Sequence, residues 1–426
     1  MSVVDQNRGS LGSTNEPRSV DPVQWPDVAS VPRSPVRTAV AKRIFRSAVR
    51  RIPLRVEEAG SRGYGGGRPG DPVMRLERPD AFFARLGATG TIGFGEAYMA
   101  GDWTADDLAA VLSAFAAHLR DLVPASLQRL RHAVLDRLPE HHDNTVEGAR
   151  NNIHHHYDLS NELFATFLDE SLTYSSALFD GEPYGSAEEL AGAQGRKIDR
   201  LLDAAAVTEG TRVLEIGTGW GELAIRAARR GATVTSLTIS TEQAELARER
   251  IAAEGLTDRA TVLLRDYRQA DGSYDAVVSV EMIEAVGANH WDEYFGTIDR
   301  LLLPDGRVGL QAILQDDAVL TATRDTYTWI RKYIFPGGQI ASVQAIERVI
   351  EPTALGIADT YRFGRHYAET LRRWRQRFEA SAERVAELGF DETFRRMWSL
   401  YLAYSEAGFR TGYLDVAQFT LTKPGR

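Results

Sequence analysis

The chain has 426 residues, 43% of them hydrophobic, with no cysteine and a formal net charge of −9. That length exceeds one ordinary domain and the apolar content is enough for a sizeable core, so two domains plus tails are expected. The lack of cysteine excludes disulfides, thiolate nucleophiles and thiolate metal sites, and the acidic balance argues against a nucleic-acid binder. No run reads as a transmembrane span or a secretory signal, so a cytoplasmic protein is expected.

Residues 1 to about 35 mix Ser, Pro, Asn, Gly and charge without hydrophobic period, which predicts a disordered tail. The stretch RTAVAKRIFRSAVRRIPLRV then carries helical period, with Val40, Ile44, Ala48 and Ile52 as one stripe and Ala41, Phe45 and Val49 beside it. Eight Lys or Arg and no acid lie between Arg33 and Arg55. This pattern serves either a helix on an anionic membrane surface or a solvated helix docked on its own domain. Residues 36–150 are expected to form a small, lipid-associated α+β domain. Its extended segments are Pro72–Glu77 and Gly90–Phe94, and helix is expected from Thr104 to Leu138. The glycines Gly65 to Gly67 lack a strand-then-helix setting and read as a surface loop.

From about Val207 strands and helices alternate strictly. TRVLEIG, TVTSLTIS, RATVLLRD, SYDAVVSV and RVGLQAIL are short apolar strands; GELAIRAARRG and TEQAELARERIAAEG are helices closed by glycine, the second capped by Ser240 or Thr241. This order predicts a doubly wound parallel sheet. The pattern breaks between Leu314 and about Phe363 into polar and aromatic segments, read as a substrate-covering insertion, and DVAQFTLTK reads as an antiparallel edge strand.

The loop EIGTGWGE lies between the first strand and its helix, where glycines let backbone approach a ligand. Its spacing, Gly217, Gly219 and Gly221, is the GxGxG of S-adenosylmethionine (SAM) sheets rather than the GxGxxG of nicotinamide sites. Glu215 at the strand end, the polar run TISTEQ after the second strand and Asp266 after the third complete a SAM-type set, with Asp275 opening the fourth strand.

From about residue 90 onward the chain resembles the cyclopropane fatty acid synthase family. The resemblance rests on GFGEAYMAGDW, HHYDLSNELFATFLDESLTYSSALF, VLEIGTGWGELA, TISTEQ, RDYR, SVEMIEAVG and IRKYIFPGGQIAS. It implies a class I SAM-methyltransferase α/β fold over residues 151–426 behind the smaller N-terminal domain, and a homodimer. It also implies a substrate that is an acyl chain of membrane phospholipid, reached from the inner face of the membrane, which would give the basic helix a purpose. Position by position, it implies cofactor contacts from Tyr157, Tyr174, Ser175, Gly217, Gly219, Thr238, Gln243 and Tyr267, the last against adenine, and an active-site glutamate and tyrosine at Glu284 and Tyr367. Replacing Glu284 by glutamine would then abolish turnover and spare SAM binding. His154, His155 and His156 invite a metal, but consecutive histidines diverge on helix or strand, so no metal is expected.

Methylation of an alkene leaves a carbocation on the lipid, which needs nearby negative charge or π-faces and finally a base. Ring-forming members of the family are understood to hold bicarbonate as that base, in a seat made by a cysteine-containing turn, a glutamate, a histidine and a tyrosine. Here the cysteine position is Ser176, and two histidine positions are Ala312 and Ala285. These departures favour a different end to the reaction: a 1,2-hydride shift and loss of a methyl proton, giving a 10-methylene branch that a separate reductase would saturate, as in tuberculostearic acid. The alternatives are a cyclopropane, a methyltransferase for a small amine or phenol, and a lipid-binding protein on a degenerate fold. Glu281, small in many family members, adds a second carboxylate one turn from Glu284; it relays a proton or strengthens the field, or is simply a solvated or salt-bridged acid at a helix start.

Overall fold

Alternating apolar strands and amphipathic helices bury both faces of a sheet, and the computed structural model shows the result. It describes residues 20–58, 63–118, 160–181 and 189–425. Seven strands, β4 (Arg212–Ile216), β5 (Thr233–Thr238), β6 (Ala260–Leu264), β7 (Tyr274–Val280), β8 (Leu302–Gln315), β9 (Gly356–Arg362) and β10 (Leu414–Thr422), lie in the order β6-β5-β4-β7-β8-β10-β9. The pairs from β6 to β8 are parallel, and β10 runs antiparallel between β8 and β9.

DVAQFTLTK is therefore interior rather than an edge, and six consecutive residues, Val416 to Leu421, are buried. The edge is β9, drawn from the end of the predicted insertion, and all but one of its residues are exposed. The insertion keeps three short helices, Asp317–Thr323, Trp329–Tyr333 and Val343–Ile350.

The N-terminal part is a three-stranded sheet, β1 (Arg55–Glu58), β2 (Val73–Leu76) and β3 (Trp103–Ala105), with helices Pro35–Val49, Pro79–Thr89, Thr91–Met99 and Leu108–Ala117. Helical period ends at Val49, and the last residues of the basic stretch, expected to be helical, form β1 beyond Pro53. Gly90–Phe94 is not extended. Gly90, at φ +60, closes one helix, and the chain re-enters helix at Thr91 because its glycines are packing positions: a Cβ on Gly93 would meet the Arg85 carbonyl at 2.0 Å and one on Gly95 the Trp329 indole at 2.3 Å. Thr104 is in a strand, and helix begins only at Leu108, capped by Asp107 accepting the Ala110 N–H at 2.9 Å. Gly65 to Gly67 form a turn pressed on the backbone of Arg50 to Arg55, with no helix after it to receive a phosphate.

The basic helix is docked on its own domain. Phe45, Ala48, Val49 and Ile52 are buried, Phe45 edge-on to Phe82 and Phe83, whereas Val40 is exposed and Ile44 only partly covered. Its buried face is thus rotated from the expected stripe. Nor is the segment before it a free tail from Val20 onward. Val28 is buried, and the buried Arg85 guanidinium donates to the carbonyls of Asp27, Val28 and Ser30 as well as to Asp102. A buried guanidinium needs its five donors met, and this segment meets three of them.

Candidate functional site

At the carboxyl ends of β4, β5, β6 and β7, where ligands bind in doubly wound sheets, a cavity of about 1250 Å³ opens, its mouth included. Of the predicted cofactor residues, Tyr174, Ser175, Glu215, Gly217, Gly219, Thr238, Gln243, Asp266 and Tyr267 line it. Tyr157 lies outside the described residues, as do His154 to His156.

The three motif glycines do separate jobs. Gly217, at φ +97, packs on Met282, whose Cγ would lie 2.5 Å from an added Cβ. Gly219, at φ +52, has no atom of the described residues within 4 Å of its missing Cβ, and so leaves space for a ligand at the head of the helix Glu222–Arg229. Gly221, at φ +90, does not line the cavity; an added Cβ would press on Ala247 at 3.1 Å, so this glycine sets the spacing of two helices. Gly219→Ala is accordingly expected to weaken SAM binding at least ~10-fold, on top of the roughly 1 kcal/mol that a side chain costs at φ +52. Gly221→Ala is expected to cost about 1 kcal/mol of stability or more, with affinity retained in the folded protein. Calorimetric titration beside thermal melts separates the two.

Thr238 donates to Gln243 Oε1 at 3.0 Å and accepts the Ser240 N–H at 3.2 Å, so the polar run after β5 is held before a ligand enters. Asp266 is spoken for: it caps the turn Tyr267–Gln269 and is paired with Arg268 at 2.8 Å. Tyr267 stands edge-on to Tyr294, its hydroxyl pushed up by burial. The Glu215 carboxyl, buried with only Ser236 donating to it among the described residues, is pushed up to about 8 by loss of water.

The two glutamates separate sharply. Glu281 lines the cavity and its backbone has φ +52, a conformation that costs a residue with a side chain. Three donors converge on its carboxylate: Ser176 N–H to Oε1 at 3.0 Å, Gln311 Nε2 to Oε1 at 2.8 Å and Tyr367 Oη to Oε2 at 2.6 Å. Gln311 is itself oriented, because Gln418 Nε2 donates to its Oε1 at 3.1 Å, leaving the amide nitrogen for Glu281. Burial raises the Glu281 carboxyl, but Tyr367, Ser176, the Lys197 charge and Gln311 all oppose that rise. Its reading as a solvated acid at a helix start does not survive this geometry.

Glu284 is not on the cavity wall. One oxygen accepts the Ile313 N–H and the other is buried without a hydrogen-bond partner among the described residues, so burial, then the Glu281 charge, pushes this carboxyl to about 8. Its backbone carbonyl accepts Gln339 N–H at 2.9 Å, which ties the insertion to the site. Of the two, Glu284 is the carboxyl with less to hold its charge, and Glu281, with three donors, is the one whose ionised form the site supports. Ser176 and Tyr367 also stand behind the cavity wall and reach it through Glu281.

Four groups escaped the sequence reading. Lys197, on the cavity wall, donates to Ser175 Oγ at 2.6 Å and is lowered to about 8 by burial. Gln311 and Gln418 face each other across β8 and β10, and a glutamine inside each of two apolar strands was the available signal. Trp374 belongs to an aromatic shell: its ring lies 5.3 Å from that of Tyr174 and 6.2 Å from that of Tyr367, while Tyr367 packs on Phe409 at 4.4 Å. Tyr174, which lines the cavity, also hydrogen-bonds Tyr401 at 2.7 Å, so π-faces are fixed beside the Glu281 carboxylate.

Residues 144–419 match the model of the mycolic acid cyclopropane synthetase family. The chain belongs to that family. It is 51% identical, over 96% of its length and 97% of the relative, to a tuberculostearic acid methyltransferase of Mycobacterium tuberculosis. To a cyclopropane-fatty-acyl-phospholipid synthase of Escherichia coli K12 it is 35% identical, over 84% of the chain and 89% of the relative. Among solved structures, a mycolic acid cyclopropane synthase complexed with S-adenosylhomocysteine superposes with a TM-score of 0.59 at 30% identity, covering 64% of this chain and 98% of that one. The chain is a SAM-dependent methyltransferase of class I fold, as the sequence led one to expect, and the glycine-lined space at Gly219 fits that cofactor.

Proposed function

We propose that the chain methylates the double bond of an oleoyl-type acyl chain in membrane phospholipid and releases a methylene-branched chain, which a separate reductase would saturate. The observation that carries the reading is the Glu281 carboxylate on the cofactor cavity, held by three hydrogen-bond donors where a cation must form and lose a proton. Similarity along nearly the whole chain to a tuberculostearic acid methyltransferase supports a product on the way to a mid-chain methyl branch.

SAM, when bound, supplies an electrophilic methyl group on a sulfonium. Gly217 and Gly219 leave room for it, Thr238 and Gln243 are held ready to bind it, and Tyr267 walls the cavity. The alkene's π pair forms the bond to the methyl carbon as the sulfur–carbon bond breaks. The aromatic shell and Glu281 then stabilise the cation left on the chain, where a carboxylate in low dielectric contributes several kcal/mol.

Access to lipid is proposed through the outer face of the helix Pro35–Val49. Arg37, Arg43, Val36 and Val40 are exposed there, as are Arg33, Arg50 and Arg51 at its ends, while Arg46 is tied to Glu58 at 2.9 Å. No helix among the described residues is long and apolar enough to cross a membrane, so this reading is of adsorption to an anionic surface.

Expression in a host whose phospholipids carry oleoyl chains, with mass spectrometry of the fatty acids, tests the reading. Methylene-branched chains are expected. A ring product would overturn the methylene outcome, and unmodified lipids would overturn the substrate.

A further inference from the structure

Three donors from three separate elements, the Ser176 amide, the Gln311 side chain and the Tyr367 hydroxyl, make a preformed anion seat, and the protein fills it with its own Glu281. The seat holds its occupant at a cost, since a glutamate at φ +52 is strained where a glycine would be at ease. Strain retained next to a cofactor cavity marks a group kept for chemistry.

Resting on the reading above, we infer that Glu281 is the base that ends the reaction, its carboxylate standing where an exogenous anion would otherwise bind. Once a hydride shift has placed the cation on the methyl-bearing carbon, a methyl C–H bond breaks. Its electron pair closes the exocyclic C=CH2 bond, the proton passes to a Glu281 oxygen, and the proton leaves for solvent with product release. The sum is alkene plus SAM giving the methylene chain, S-adenosylhomocysteine and one proton. A base fixed by three donors on one wall also favours one outcome over another, because the proton it can reach is the one removed.

The test compares the wild-type protein with Glu281→Gln and Glu281→Gly. The wild type, assayed on oleoyl phospholipid vesicles in carbonate-free buffer, should keep its full rate. Glu281→Gln should lose ~100-fold or more in kcat, the usual worth of a positioned base, while calorimetry shows SAM binding retained. Apo Glu281→Gly, with the seat opened, should take up millimolar bicarbonate that the wild type does not, and bicarbonate should restore at least ~10-fold of its turnover. A wild-type rate that collapses without carbonate overturns the inference whatever the variants do, and so does methylene product from Glu281→Gln at the wild-type rate. A wild type that methylates no lipid under any condition overturns instead the function on which the inference rests.

Discussion

Tyr367→Phe is expected to slow turnover by about 10–100-fold and to move the acidic limb of the pH–rate profile upward, with SAM affinity unchanged. The change removes one oxygen. The ring, packed on Phe409 at 4.4 Å and set edge-on to Trp374, stays where it is, so the lost group is the donor at 2.6 Å from Glu281 Oε2. A short hydrogen bond to a carboxylate in a dry site stabilises the ionised form by ~1.5–3 kcal/mol. Burial is the largest influence on Glu281 and raises its pKa; the Tyr367 hydroxyl is first among those that lower it. Without it the carboxylate takes up a proton at higher pH, and the fraction of enzyme holding a competent base falls at a given acidic pH. SAM binding, dependent on the glycine loop and on Thr238 and Gln243, has no part in that loss. Rate profiles over pH 5 to 9 check it, and a profile that drops in height without shifting would mean that Tyr367 acts elsewhere.

The pattern of alternating apolar strands made the main sheet readable, because a strand covered on both faces has few ways to be anything else. The same rule failed at its ends. DVAQFTLTK looks half-exposed when its Gln and Thr residues are counted as solvent-facing, but Gln418 is spent on Gln311 and on the Lys197 carbonyl, inside the sheet. The residues taken for a loose tail lack any period because Val28, Trp25 and the carbonyls around Arg85 bind one at a time, through contacts far away in sequence. The link between the motifs GFGEAYMAGDW and IRKYIFPGGQIAS was equally silent: Glu96 accepts from Lys332 Nζ at 2.7 Å and from Tyr333 Oη at 2.8 Å, across more than two hundred residues. The candidate site was legible where backbone chemistry dictates sequence, in the glycine loop. It was misweighted where side chains choose among partners. Glu281 and Glu284 are one turn apart on paper, yet a left-handed φ at Glu281 sends its carboxylate to the cavity and leaves Glu284 behind it, and no local pattern encodes that choice.

Glu284→Gln is expected to make the apo-protein more stable in alkaline solution and less active throughout. The Glu284 carboxyl has a folded pKa of about 8 against an ordinary value of 4.5. Between those two values the folded protein holds a proton that the unfolded chain has released. Stability therefore falls as pH rises across this window: the advantage of the protonated form is complete below pH ~4.5 and is lost as pH passes ~8. Glutamine cannot ionise, and its carbonyl oxygen still accepts the Ile313 N–H that Glu284 accepts now. At pH 4 variant and wild type should melt together. By pH 9 the variant should lead by up to about 5 kcal/mol, an order-of-magnitude ceiling from the full shift. Glu215, raised to about 8 by the same burial, keeps its own slope in both proteins, so the comparison isolates Glu284. Thermal melts at pH 4, 7 and 9 read the effect, and equal melting at pH 9 would place the ionised carboxylate in water. SAM affinity should not change, because Glu284 does not line the cavity. A stability gain together with a loss of turnover is the signature of a buried carboxyl retained for chemistry. A gain with turnover intact would leave Glu281 as the one carboxylate of this pair that the reaction needs, and would transfer to it the role that the sequence alone gave to Glu284.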